Sequence, residues 1–226
     1  MNLKILNGME KEIAEVLLKI DAVGFKIDNP ITFKSGIISP VYVDNRKLPF
    51  FPNEWKVVLD GFKELIEKNK IDFDIIAGVE SGGIPHSAAL GFLLNKPSIF
   101  VRKKAKEHGT KSMIEGGSVD GKKVLLIEDL ISTGGSSLAG IESIRNEGGI
   151  VNDCLVIVSY DFKEAKDAFE KAKVNLHPTT SFPTILNKAI TLGKISETEA
   201  EKIKEWFRDP HNWAKKHINP PKLSDK

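Results

Sequence analysis

The chemistry of this chain is concentrated in one segment: Val124-Leu125-Leu126-Ile127-Glu128-Asp129-Leu130-Ile131-Ser132-Thr133-Gly134-Gly135-Ser136-Ser137. Four apolar residues predict a buried strand, two carboxylates stand at its expected end, and hydroxyls and glycines lead into a predicted helix. In open α/β sheets, ligands bind beyond the carboxyl ends of the strands. Small residues at a helix start let backbone N–H groups reach an anion, whose charge the helix dipole favours. Thr133 to Ser137 therefore form a candidate cradle for a phosphate monoester. Glu128 and Asp129 beside it can accept hydrogen bonds from sugar hydroxyls. A polar turn that only caps a helix would use similar residues, but it would not need two acids joined to an apolar strand. No lysine follows the glycines, so this is not a Walker loop.

Other segments are suited to anions as well. Arg102, Lys103, Lys106 and His108 lie in Val101-Arg102-Lys103-Lys104-Ala105-Lys106-Glu107-His108-Gly109, after another predicted strand. They could neutralise a departing pyrophosphate; a solvated basic loop is the alternative. In Gly78-Val79-Glu80-Ser81-Gly82-Gly83-Ile84-Pro85 the glycines allow the backbone to approach an anion. Nearer the N-terminus stands Phe33-Lys34-Ser35-Gly36-Ile37-Ile38-Ser39-Pro40-Val41-Tyr42-Val43-Asp44.

The acidic pair and its loop resemble the phosphoribosyl pyrophosphate (PRPP) signature of type I phosphoribosyltransferases. That resemblance implies that Glu128 and Asp129 contact the ribose hydroxyls. It also implies that Leu130, Ile131, Ser132, Thr133, Gly134, Gly135 and Ser136 hold the 5′-phosphate. The basic segment is similar to the Arg-Lys-x-x-Lys-x-His-Gly loop of the orotate phosphoribosyltransferase family, complete at every specified residue. The resemblance assigns Arg102, Lys103, Lys106 and His108 to PRPP, and Lys106, Asp129 and Glu128 to catalysis. Residues 33–44 resemble that family's N-terminal hood, which implies orotate contacts from Lys34, Tyr42 and Val43, together with Ser132. Residues 78–85 resemble its pyrophosphate loop, with Ser81 and Gly82 facing PRPP. Lys204-Glu205-Trp206-Phe207-Arg208-Asp209-Pro210 is similar to a pattern of one bacterial branch, so the resemblance runs nearly the whole chain.

The family further implies Mg²⁺ as cofactor, held through PRPP, with no direct protein ligand and Asp129 reaching it at most through water. It implies a homodimer with active sites shared between subunits. Two departures stand out. Many members carry a lysine at the position of Gly82, and many carry an orotate-binding arginine where this chain has Phe162. The branch with the similar C-terminus generally lacks that arginine too. A purine-salvage phosphoribosyltransferase would share the Glu-Asp loop but not need the basic segment or the hood. A PRPP-sensing transcriptional regulator would need a DNA-reading module, for which the roughly 30 residues before the hood are too short and not basic enough.

These segments need elements to hold them. Ile13, Val16, Leu17 and Ile20 recur at helical spacing within 11–21, and Val57, Val58, Phe62, Leu65 and Ile66 do so in a helix begun by Pro52. Residues 33–36 and 40–44 read as short strands around a glycine turn. Strands at 74–78, 98–101, 124–127 and 150–159 alternate with helices at 84–94 and 136–147, and two helices follow from Thr180. Apolar strands alternating with helices predict a parallel sheet covered on both faces. The expectation is a single type I phosphoribosyltransferase domain of the α/β class over 1–226: hood mainly 1–50, core about 51–178, C-terminal helices about 180–213.

Composition narrows the classes. With 33 basic and 31 acidic residues the net charge is +2, which gives no reason to expect nucleic acid or an acidic membrane as partner. Cys154, the lone cysteine, sits in an apolar run and reads as a core thiol. No apolar stretch approaches the roughly 20 residues that span a bilayer, and the N-terminus lacks a signal-peptide pattern. A cytoplasmic location is expected.

Overall fold

The structure, a computed structural model, describes residues 3–33, 35–103 and 112–217. Lys34, Lys106 and His108, all expected in the site, lie outside the described residues. The chain begins with α1 (Leu3–Lys19), followed by short strands β1 (Val23–Phe25), β2 (Ile31–Thr32), β3 (Ile38–Ser39) and β4 (Val41–Val43). A 3₁₀ helix (Asn45–Phe50) leads into α2 (Pro52–Asn69). Then come β5 (Ile75–Val79), α3 (Gly83–Leu94), β6 (Ser98–Val101), β7 (Ile114–Glu115), β8 (Val124–Ile131) and α4 (Gly135–Asn146). The chain continues through β9 (Asp153–Ser159), α5 (Lys163–Lys171), β10 (Asn175–Ser181), α6 (Phe182–Thr191), α7 (Glu197–Arg208) and α8 (Trp213–His217).

The predicted parallel sheet is present. Its described strands run in the order β10-β9-β8-β5-β6-β7, and only the short β7 is antiparallel. Each face is sealed by its own apolar layer. Leu125 and Ile127 of β8 join α1, α2 and α6 on one side, whereas Val124 and Leu126 join Ile141 and Ile144 of α4 and Phe169 of α5 on the other. Such alternation follows from the two-residue period of a strand. Cys154 is buried in the second layer, as its apolar surroundings predicted. Among the described residues no helix is long and apolar enough to cross a membrane.

Several local expectations needed correction. Phe33, Ser35 and Gly36 stand outside any strand: the Gly36 N–H bonds to the Phe33 carbonyl and Gly36 has φ 85°, so only β2 and β3 flank this point as strands. The strand expected to end before the acids runs on to Ile131. It can do so because β9 pairs with it as far as Ile131, although β5 stops at Ile127. The polar strand β10 was not anticipated; it is an edge strand bonded only to β9, where Pro178 is tolerated. Strand β7 and helix α5 were not anticipated either, since α5 is charged at most positions and buries Ala165 and Phe169. The C-terminal part has three described helices where two were expected, the third being the short α8.

Candidate active site

Helix α4 starts from Gly134, whose φ of 83° lies in the left-handed region open to glycine. A side chain there would also press on the Phe169 ring, 3.0 Å from an added Cβ. No side chain caps the helix. Its first N–H groups, which have no intrahelical acceptor, therefore face an opening. That opening is a cavity of about 260 Å³ lined by Ser132 to Ser137, by Leu130, and by Phe33 and Ser35 of the hood. Gly135 and Ser136 are exposed, while Ser132 and Thr133 are half-buried.

Beside this cradle the two carboxylates have different surroundings. Glu128 is buried; its Oε1 accepts from the Asp129 N–H at 3.3 Å and its Oε2 from the Ser137 hydroxyl at 3.1 Å. Burial first, and the neighbouring Asp129 charge second, hold its pKa well above the usual carboxylate range. Asp129 is half-buried and abuts Gly82, at the start of α3. Ser81 next to it is exposed, and the Glu80–Ser81 peptide is cis. The Asp129 carbonyl accepts from Asn45 Nδ2 at 2.5 Å.

The remaining predicted residues do not line this cavity and have contacts of their own. Arg102 pairs with Glu115 at 3.3 Å, and the Lys103 N–H donates to Glu80 Oε2 at 2.8 Å. The start of the basic segment is thereby tied to the β5–α3 loop. Tyr42 accepts from Arg46 at 3.3 Å, and Arg46 also pairs with Asp44 at 2.6 Å. The Val43 side chain packs in the core, which leaves its backbone for any ligand. Sequence reasoning did not single out Glu80 or Asn45. Each acts through a contact across a long stretch of chain that no local spacing reveals.

A larger cleft of about 450 Å³ lies elsewhere, between the β9–α5 turn and α7, lined in part by Phe162, Phe207, Arg208 and His211. Its two acids, Asp161 and Glu164, are engaged by Lys166 and His211, and it has no glycine-opened helix start, so its size does not make it the centre of the chemistry.

The profile of the phosphoribosyl transferase domain matches residues 52–178. An orotate phosphoribosyltransferase from Coxiella burnetii is 43% identical over 202 residues, covering 89% of this chain and 97% of that relative. The chain belongs to the orotate phosphoribosyltransferase family. Among solved structures, the orotate phosphoribosyltransferase of Aeropyrum pernix is similar with a TM-score of 0.71 and 32% identity, covering 81% of this chain and 99% of that one. UMP synthase of Leishmania donovani is similar over 89% of this chain with a TM-score of 0.79 and 27% identity. This chain spans 43% of that longer protein.

Family membership puts the two departures in context. Phe162 is buried, with its ring 5.4 Å from Trp206, 5.7 Å from Tyr160 and 5.8 Å from Phe207. The position of the usual arginine is thus occupied by an aromatic cluster that the C-terminal helix α7 completes. Trp206 extends this cluster to the hood: its Nε1–H donates to the Ile38 carbonyl at 2.8 Å, and its ring meets Phe33 edge-on at 6.1 Å. At Gly82, any side chain would collide with the Asp129 carboxylate as placed here.

Proposed function

We propose that this chain transfers the 5-phosphoribosyl group of PRPP to orotate, giving orotidine 5′-monophosphate and pyrophosphate in the route to UMP. The observation that carries this reading is the acidic pair in the C-terminal half of β8 beside the uncapped start of α4 at Gly134–Ser136. A ring nitrogen of orotate forms the new bond to ribose C1 as the bond to pyrophosphate breaks. Backbone N–H groups of the loop hold the 5′-phosphate; Leu130 lines the cavity, whereas Ile131, expected to face PRPP, is buried and anchors the loop in the core. Glu128 and Asp129 accept the ribose hydroxyls and favour the positive charge that develops on the sugar. Arg102, Lys103, Lys106 and His108 offset the negative charge on the departing pyrophosphate, which the backbone at Ser81 and Gly82 approaches. For Arg102 this requires exchanging Glu115 for the ligand. Orotate is bordered by Lys34, Tyr42, Ser132 and the Val43 backbone.

The residues present fit Mg²⁺. Asp129 offers a half-buried carboxylate beside a position with no side chain, which suits a hydrated ion held mainly by substrate oxygens. The ion supplies charge neutralisation at the pyrophosphate. We place the reaction in one phosphoribosyltransferase domain, in a cytoplasmic homodimer whose basic loops serve the neighbouring sites.

Purified protein with Mg²⁺ and PRPP, offered orotate, uracil, hypoxanthine or adenine in turn, tests the reading through loss of base absorbance. Orotate is consumed and the others are at least about 100-fold poorer, since a site built to pair polar groups rejects ligands lacking them. Comparable turnover of hypoxanthine overturns the assignment. For the shared site, mixing inactive Lys106→Ala with inactive Asp129→Asn restores roughly a quarter of the activity through hybrid dimers. No recovery after confirmed subunit exchange places the loop in its own subunit's site.

A further inference from the structure

Asn45 opens the 3₁₀ helix at the end of the hood and is fully buried. Its Nδ2 donates to the main-chain carbonyl of Asp129, 84 residues further along the chain. That carbonyl lies where β8 has lost a neighbour, because β5 pairs with it only through Ile127. A buried backbone carbonyl without a partner is costly, and the Asn45 amide stands in for the missing strand. Since the acceptor is a carbonyl, the amide must turn its NH₂ toward it, which settles the orientation of the side chain. The other amide atom, Oδ1, is then left in the interior with no hydrogen-bond partner.

An unpaired buried acceptor is destabilising, because its lost hydration is not replaced. A leucine of similar size would avoid that cost and fill the same space, but it could not hold Asp129. The amide at this position is therefore explained by its donor and not by packing. We propose that Asn45 is a positioning residue for PRPP binding: it fixes the backbone of Asp129 and thereby aims the carboxylate, coupling the hood to the acidic pair. This rests on the reading of Asp129 as a ribose-binding acid.

The test uses the full chain and three proteins: wild type, Asn45→Leu and Asn45→Asp. PRPP binding to wild type is measured first by calorimetry. Absence of binding there overturns the proposed function and this proposal with it. With wild-type binding established, Asn45→Leu is expected to melt within a few degrees of wild type. Its KM for PRPP rises about tenfold, kcat falls, and KM for orotate changes little. A folded Asn45→Leu protein with wild-type constants for PRPP overturns this proposal alone, because a purely structural amide leaves them unmoved. Asn45→Asp decides the matter even if the leucine variant does not fold. Its carboxyl can donate to the Asp129 carbonyl only when protonated, so PRPP affinity is lost at pH 8 and partly regained toward pH 6. The same affinity at both pH values, equal to wild type, also overturns the proposal.

Discussion

Gly82 lies against the Asp129 carboxylate so closely that a single added methyl group would overlap it. The glycine has ordinary right-handed helical torsions, φ −68° and ψ −36°, so its requirement is one of space and not of backbone conformation. Asp129 is a side chain and can rotate away, which makes the expected damage functional. Gly82→Ala is expected to fold normally and to lose about 100-fold in kcat/KM for PRPP, the scale of a misplacement near 1 Å. Steady-state kinetics alongside a thermal melt would check this; unchanged kinetics would show that Asp129 stands elsewhere during turnover.

Glu128 offers a trade between stability and function. Its folded pKa is raised, by burial first and Asp129 second, so its contribution is fully present below the ordinary carboxylate range. That contribution is lost as pH rises through the folded value. Glu128→Gln removes the charge, and the Ser137 hydroxyl can still donate to the amide oxygen. At pH 8 the variant is expected to melt about 2–4 °C above wild type, the shift of roughly 1 kcal/mol for a chain of this size. The difference should shrink toward pH 4, while turnover falls at every pH. Melting curves across that range decide it, and a variant less stable than wild type at pH 8 contradicts the reading.

His86 gives a second pH dependence with the opposite sign. Fully buried, it accepts the Trp55 indole N–H at 2.9 Å, and burial lowers its pKa to about 4 from 6.5. Unfolded chain takes up the proton near 6.5, so the stability present above that value is lost as pH falls toward 4. The loss amounts to ~3 kcal/mol at most. Urea midpoints at pH 7, 5.5 and 4.5 should fall for wild type and fall less for His86→Gln. Parallel slopes in the two proteins would assign the effect to other groups.

Trp206 links the C-terminal helix to the hood through the Ile38 carbonyl. Trp206→Phe keeps an aromatic ring but strands that carbonyl, at a cost of about 1–3 kcal/mol. A drop of several degrees in the melting temperature is expected. Because Ile38 leads into the strand bearing Tyr42, KM for orotate should rise more than KM for PRPP. Equal changes in both constants would detach α7 from the hood's role.

The family was legible in the sequence, and a candidate site could be proposed, where residue type at short spacing carries the signal. The Val124–Ser137 segment, the basic segment and the glycines of 78–85 each carry their family pattern within 14 residues or fewer. The parallel sheet was legible for the same reason, since apolar strands and amphipathic helices carry their own periods. Tertiary structure alone decided the rest. Strand β8 continues past the acids because β9 lies beside it while β5 has ended. Phe162 is a packing residue because Trp206 and Phe207 arrive from more than 40 residues away. Asn45 meets Asp129 because the hood folds back across the strand edge. Such contacts join residues far apart in the chain, and their free energy depends on burial and on which neighbour is missing. Neither quantity exists until the sheet has formed.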